Sequence, residues 1–501
     1  MSGASAAAGS EVTSSRYVSR SRPALGQTEG VSFPTSSPSR QGVDPAGLVG
    51  FVDALDTDPA IEPHGLIVHR HGHRVLETYW SPHRAGQPRL GYSLSKTFTG
   101  TALGLAVGDG LLSLEDRVID HLPELADHAD ERMGSMRIRH LASMSTGHAD
   151  ETLLDALMTD PTDLVAAFVK LPPQNDPGTW FAYNQPPVLV LSAILQRLTG
   201  QRLVDQLRGR VLDQIGVGDL RWSQYKPGID LGFSGVFTDL DAIARLGQLH
   251  LDSGRWNGEQ VLPLGWVEEA SSIQIENAHR PEPDWALGYG IQMWMCRHGF
   301  RGDGAFGQFM VVLPQHRAVV AFHSCTEDMQ VVMDHIWDSL LPAFTDVDAD
   351  EGSVDPEGDA AVTARATGLH VPTAADRIGA QRPLDTVTDA NFTRSPGFPS
   401  HPSISSIQTS PGEMTITEGD QTLAVTLTDN WSDVPGHPLS TSAAVGEDGR
   451  IHVDVATLSS PHRLEIIADP TRSTFTATWP LPPLFGFGFD GYLTKMHPPE
   501  N

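Results

Sequence analysis

Hydrophobic positions along the chain recur with two different periods. In "HGLIVHRHGHRVLETYW" (64–80) apolar and polar residues alternate on either side of a His-Gly pair, which predicts a β-hairpin. From about Ser95 to Val107 the apolar positions recur at helical spacing. "PPVLVLSAILQRLTG" (186–200) and "DLDAIARLGQLHLDSG" (239–254) repeat that period and end on Gly, so both predict helices. "GQFMVVLP" (307–314) and "RAVVAFHS" (317–324) read as short apolar strands, and "DMQVVMDHIWDSLL" (328–341) as a closing helix. Strands at both ends with helices between them predict an antiparallel sheet packed on a helical subdomain.

The pattern changes at "FTDVDADEGSVDPEGDAA" (344–361), an acidic, Gly-containing stretch that predicts a linker. Beyond it, "EMTITE" (413–418), "TLAVTLTD" (422–429), "RIHVDVATL" (450–458), "HRLEIIAD" (462–469) and "STFTATW" (473–479) alternate as strands do. They predict a separate all-β domain with Pro- and Ser-rich connections. The first forty residues are rich in Ser, Ala, Gly and Pro and contain no apolar h-region, which predicts a disordered leader and not a secretory signal. The expected organisation is therefore a leader over 1–42, an α+β domain over 43–347, an acidic linker over 348–370 and a β-rich domain over 371–501.

Composition narrows the function classes. At 501 residues the chain exceeds the roughly 250–300 residues of a single core, which fits more than one domain. A formal net charge of -28 argues against nucleic acid or an anionic membrane as partner, and its plainest use is solubility by self-repulsion. No apolar run approaches the roughly 18–20 residues that span a bilayer. Cys296 and Cys325 are too few for a disulfide framework and stand near no metal quartet. They read as small buried apolar residues in a reducing compartment; the missing signal alone predicts a cytoplasmic address.

Against this background one lysine stands out. The chain has only Lys96, Lys170, Lys226 and Lys495, and Lys96 lies three residues after Ser93 at the mouth of an apolar helix, in "YSLSKTFTG". Ser93 would sit at the positive end of the helix dipole, with Lys96 one turn on and on the same face. A serine hydroxyl needs a base to become a nucleophile, and burying an ammonium lowers its pKa toward that of a usable base or proton relay. The spacing alone also describes a plain helix start with Ser95 as N-cap. "SQYK" places Ser223 and Lys226 at the same interval but runs into Pro-Gly, which cannot carry a helix beneath the serine.

Two further pieces bear on it. In "PGTWFAYNQPP" Tyr183 precedes a helix, and a tyrosine beside a lysine ammonium can have its phenol pKa lowered and act as general base; a hydrogen-bonded core tyrosine is the bland alternative. In "RGDGAFGQFMVVLP" glycines at 302, 304 and 307 let a backbone approach a ligand, and an amide there would complete an oxyanion hole with that of Ser93. By itself the run is also an ordinary glycine-rich hairpin turn. His69, His71 and His73 would share a strand face, but Gly72 makes this the hairpin turn, so no metal site is expected. His148 in "MSTGH" reads as a turn histidine, and no Gly-x-Ser-x-Gly elbow is present.

The three pieces, in their order and rough spacing, resemble the serine β-lactamase and penicillin-binding-protein superfamily over residues 43–345. The likeness points to the class C β-lactamase-like branch, with its DD-peptidases, family VIII esterases and 6-aminohexanoate-dimer hydrolases. "YSLSKTFTG" matches Ser-x-x-Lys, "PGTWFAYNQ" matches Tyr-x-Asn, and "GDGAFGQFMVVLP" matches the last motif with its strand. The resemblance implies an α+β, β-lactamase/DD-peptidase-like fold, an antiparallel sheet flanked by helices plus a helical subdomain, followed here by the all-β domain. It implies Ser93 as acylated nucleophile, Lys96 and Tyr183 sharing the proton work, and the amides of Ser93 and Ala305 as oxyanion hole. Substrate contacts fall to Gln185, Gly302, Asp303 and Gly304, and no cofactor or metal is implied.

Two departures from the family pattern set the expected substrate. Gln185 stands where the Asn is expected, with Asn184 displaced by one, and Gly302-Asp303-Gly304 occupies the Lys-Thr-Gly slot, so the cation that grips a β-lactam carboxylate is missing. Arg301 is adjacent and is the candidate substitute. A charge-assisted bond to a carboxylate contributes about 1.5–3 kcal/mol, and Asp303 would repel such a group instead. The expected partner is a neutral small-molecule ester or amide, cleaved esterase-fashion. The rivals are a DD-peptidase-like enzyme and a penicillin-binding or acyl-trapping protein without turnover.

Overall fold

The hairpin predicted at 64–80 forms around His71 and Gly72, whose φ of 52° and 75° are the two left-handed residues a tight hairpin turn needs. It joins strand β1 (Glu62–Arg70) to β2 (His73–Tyr79). The computed structural model describes residues 32–346, 351, 353–379, 381–397, 403–419 and 421–484. Most of the expected leader lies outside the described residues; within it, Phe33 is buried and stacks on the His69 ring at 3.9 Å.

Far along the chain come β3 (Trp294–Cys296), β4 (Gly299–Gly304), β5 (Gln308–Leu313) and β6 (Ala318–Cys325). Together they form a six-stranded antiparallel sheet in the order β3-β4-β5-β6-β1-β2, with β1 paired to β6 from Arg70 opposite Ala318 to Glu62 opposite Cys325. Both faces are covered, so the inner strands are apolar at consecutive positions: Ile67 enters one core and Val68 the other.

Helix α1 (Pro45–Thr57) covers one face. Asp44 caps it by accepting from the Gly47 amide at 3.1 Å, and Pro45 occupies the first helical position, where its missing N–H costs nothing. The opposite face carries α2 (Ser95–Gly108), α3 (Pro186–Thr199) and α4 (Leu240–Leu251), whose Phe98, Val190 and Leu246 share a core with Ile67 and Met310. α3 starts at its two prolines and stops at Gly200 with φ 69°, the punctuation anticipated from the sequence. The predicted closing helix appears as α5 (Met329–His335), continued by a wider π turn over Ile336–Leu340. This is the antiparallel sheet on a helical subdomain that the hydrophobic pattern implies.

Within the acidic stretch, α6 (Pro356–Arg365) is a helix. Asp355 caps it and Glu357 and Asp359 sit in its first turn, where negative charge opposes the helix dipole. Its Arg365 reaches Asp53 and Asp56 of the α1 helix. Beyond it, a ten-stranded sheet contains the expected runs as Glu413–Glu418, Gln421–Thr426, Ile451–Thr457, Arg463–Asp469 and Thr474–Thr478. It also contains Leu439–Gly446, a strand of small side chains that is buried throughout and receives the Ala374 amide on Ser442 Oγ at 3.0 Å. Among the described residues no helix is long and apolar enough to cross a membrane.

Candidate active site

The turn Tyr92–Leu94 leads straight into α2, leaving Ser93 partly accessible while Lys96, one turn on, is 1% exposed. Ser95, the alternative helix cap, is otherwise engaged: its hydroxyl donates to the Tyr92 carbonyl at 2.7 Å and accepts from the Val236 amide at 3.0 Å, tying the turn to its neighbour strand.

Lys96 Nζ has three acceptors: Ser93 Oγ at 3.0 Å, Gln185 Oε1 at 2.7 Å and the Phe233 carbonyl at 3.0 Å. Burial pulls its pKa down to about 7, against the opposing pull of Asp303 and Glu151. Its Nζ also lies 4.6 Å from the centre of the Tyr183 ring, which stacks on Trp294 at 5.1 Å. The depressed lysine expected from the sequence is therefore present.

The lowered phenol pKa expected for Tyr183 is not. Burial raises it, Asp303 raises it further, and the Ser93 side chain only partly offsets them. The reason is dielectric: the enclosure that neutralises Lys96 also disfavours a phenolate, and a lysine that is itself half-neutral lends Tyr183 little charge.

Gln185, directly before α3, points its oxygen at Lys96. Asn184 is fully buried and accepts from the Thr152 amide and hydroxyl at 3.1 and 3.0 Å, so it braces a neighbouring loop.

The glycine spacing on β4 has a steric cause. A Cβ on Gly302 would strike the Thr97 hydroxyl, and one on Gly304 would strike the Gly91 carbonyl oxygen, so the strand lies flush against the Tyr92–Leu94 turn and the start of α2. Ala305 comes directly after it. Arg301 and Asp303 share one side of β4, as strand alternation requires. Arg301 is wholly buried: its Nε donates to Asp303 at 3.0 Å, its Nη1 to the Asp284 and Met295 carbonyls, and its guanidinium lies 4.1 Å over Trp285. It is not the missing carboxylate grip, because its charge is engaged by Asp303, whose own pKa burial raises.

Two neighbours of Lys96 escaped the sequence. The Phe233 carbonyl is backbone and leaves no side-chain signal. Glu151 is held by the Leu153 and Gln185 amides at 2.9 and 3.2 Å and lies within electrostatic reach of Lys96, yet nothing in "HADET" distinguishes it from a solvated acid.

The remaining candidates are structural. Ser223 and Lys226 lie outside any helix: Gln224–Lys226 is a short strand and Lys226 Nζ meets Asp163 at 3.3 Å. His148 is buried between the Thr146 hydroxyl and the Leu171 carbonyl, and His71 sits in the hairpin turn.

A serine and a buried lysine one turn apart at the start of a core helix lie beside β4 of the antiparallel sheet, in a hydrolase of β-lactamase fold. The Beta-lactamase family model matches residues 51–338, more than half of the chain, and the chain belongs to that family. It is similar to the 6-aminohexanoate-dimer hydrolase of Paenarthrobacter ureafaciens, 26% identical over 322 residues, which cover 58% of this chain and 81% of that protein. It is also 32% identical to penicillin-binding protein 4 of Amycolatopsis lactamdurans over 129 residues, 25% of this chain and 33% of that one. In fold it resembles a family VIII carboxylesterase at a TM-score of 0.50 and 14% identity, over 62% of this chain and 98% of the other.

Proposed function

We propose that the protein cleaves neutral ester or amide substrates through an acyl-enzyme on Ser93. The observation that carries this is the state of Lys96: fully enclosed, drawn down to about 7, and bonded to the Ser93 hydroxyl. A neutral amine has two N–H donors and one lone pair. Gln185 Oε1 and the Phe233 carbonyl take the donors, so in the neutral amine the bond to Ser93 Oγ reverses and the lone pair receives the serine proton.

In acylation the Ser93 Oγ forms a bond to the substrate carbonyl carbon while its proton passes to Lys96. The tetrahedral oxyanion rests on the amides of Ser93 and Ala305. As the bond to the leaving oxygen or nitrogen breaks, Tyr183, a neutral phenol at rest, gives its proton to that atom and is reprotonated from Lys96. Water then attacks the acyl carbon by the same route in reverse, releasing the acid and restoring the serine. Substrate charge is set by Arg301 being spent on Asp303 and by two carboxyls, Asp303 and Glu151, beside the lysine. These favour a substrate without a carboxylate near the scissile bond.

A fluorophosphonate probe followed by peptide mapping tests the assignment. Ser93 is expected to carry the label and Ser93→Ala to lose it together with turnover of a p-nitrophenyl ester panel. Labelling at another serine, or undiminished turnover in Ser93→Ala, would refute it. A stoichiometric burst with no steady state would instead establish an acyl-trapping protein.

A further inference from the structure

The C-terminal sheet meets the nucleophile turn through one loop, between the strands Ile451–Thr457 and Arg463–Asp469. Ser459 O accepts from the Leu90 amide at 2.9 Å and Ser460 O from Arg89 Nη2 at 3.1 Å, on the segment that delivers Ser93. The next contact is chemically more specific. His462, 1% exposed, lies 2.6 Å from the Tyr92 hydroxyl through Nε2 and 2.9 Å from the Leu481 carbonyl through Nδ1. A carbonyl only accepts, so Nδ1 carries the proton and Nε2 accepts from Tyr92. Burial lowers the imidazole pKa to about 3, which keeps that acceptor available at all working pH values.

The same ring touches the other half of the site. Phe306 meets His462 edge-on at 4.6 Å, and Tyr92 meets Phe306 at 5.4 Å. Tyr92 directly precedes Ser93 and Phe306 directly follows Ala305. Both have left-handed backbones, with φ of 47° and 66°, a conformation that bulky residues hold only where their surroundings impose it. One imidazole thus braces two strained residues, each bonded to one of the two residues whose amides are assigned to the oxyanion hole. We propose that His462 is a positioning residue for the hydrolytic reaction, through which the C-terminal sheet fixes the spacing of the Ser93 and Ala305 amides. This rests on the acyl-serine mechanism above, because only an oxyanion held by both amides makes their spacing matter.

The test is the saturation kinetics of Ser93 phosphonylation by a fluorophosphonate in the full chain. His462→Phe keeps the ring contact with Phe306 and removes the acceptor for Tyr92. It is expected to lower the limiting rate about 10- to 100-fold, the loss that slight misplacement of catalytic groups produces. Binding of the probe should stay within about twofold, because the hole acts on the transition state, and the pH limb of Lys96 should not move. His462→Gln restores an acceptor for the hydroxyl and is expected to recover most of the rate. Tyr92→Phe should reproduce the loss, and adding His462→Phe to it should cost little more. A wild-type rate in His462→Phe, a loss that appears in probe binding, or failure of Gln to rescue would overturn the proposal. Should His462→Phe not fold, Tyr92→Phe alone decides: an unchanged rate refutes the brace and a lowered limiting rate supports it. If the wild-type chain is labelled at Ser93 while these variants are unaffected, only this inference falls; if wild type is not labelled there, the mechanism beneath it falls too.

Discussion

The chain contains two Ser-x-x-Lys stretches of identical spacing, and folding makes them opposites. In Ser93–Lys96 the lysine is enclosed among three acceptors and its pKa falls to about 7. In Ser223–Lys226 the lysine is half-exposed and pairs with Asp163; desolvation is the largest single influence on its pKa and lowers it, but the hydrogen bonds and charges of Asp163 and Tyr225 together outweigh it and raise the pKa. The residues just after each lysine make the difference. An apolar helix carries Lys96 into the core, whereas Pro227-Gly228 turns the second stretch into a surface hairpin. Spacing brings two groups within reach, and enclosure sends the two lysines' pKa values in opposite directions.

Substitution should separate the two lysines widely. Lys96→Ala removes the enclosed base and is expected to cut the acylation rate by about 10⁴, the upper end for a general acid–base group. Stopped-flow release of p-nitrophenol checks it, and a loss under about tenfold would contradict the role. Tyr183→Phe retains the ring between Lys96 and Trp294 and removes a hydroxyl that only relays a proton, so a smaller loss of about 10²–10³ is expected. If Tyr183→Phe proves more damaging than Lys96→Ala, the phenol and not the amine is the base.

The pH dependence should report the enclosed lysine alone. In the proposed mechanism Lys96 is the base and must be neutral, so kcat/KM should fall about tenfold per pH unit below about 7 and level off above it. A profile flat across that range would show that Lys96 does not set the rate. The smallest effect belongs to the second stretch. Lys226→Ala should leave turnover unchanged and move stability by less than about 0.5 kcal/mol, as for other surface positions. Calorimetry and the same ester assay suffice, and lost turnover would mean that the wrong pair had been chosen.

What the sequence disclosed and what it withheld divide along physical lines. Helices α2, α3 and α4 and the inner strands were legible because their burial is written in apolar periodicity, and the meeting of Ser93, Lys96 and Tyr183 because their motifs stand out by side-chain type and spacing. The helix Pro356–Arg365 was hidden because acids that mark a linker also suit a helix N-terminus. Strand Leu439–Gly446 was hidden because it is buried without being greasy: Leu-Ser-Thr-Ser-Ala-Ala-Val-Gly has no alternation to detect. The Phe233 carbonyl was illegible because every residue has one. The pKa of Tyr183 was misjudged because a neighbouring charge can be inferred from spacing, whereas the depth of enclosure cannot.

The pairing of β1 with β6 has a consequence for how the protein is made. Arg70 must find Ala318, so the central seam of the sheet closes a loop of roughly 250 residues, an entropic cost that must be met before the pairing returns anything. During synthesis at about 5–20 residues per second, the β1 hairpin emerges about 12–50 s before its partner exists. Through that interval the edge of β1, a strand buried along nearly its whole length in the finished protein, presents its apolar row to water or to chaperones. The Tyr92–Leu94 turn, emerging just behind the hairpin, likewise has no β4 to lie against until Gly304 has been added. Enzyme activity on the ribosome is thus withheld until well over half of the chain has been translated.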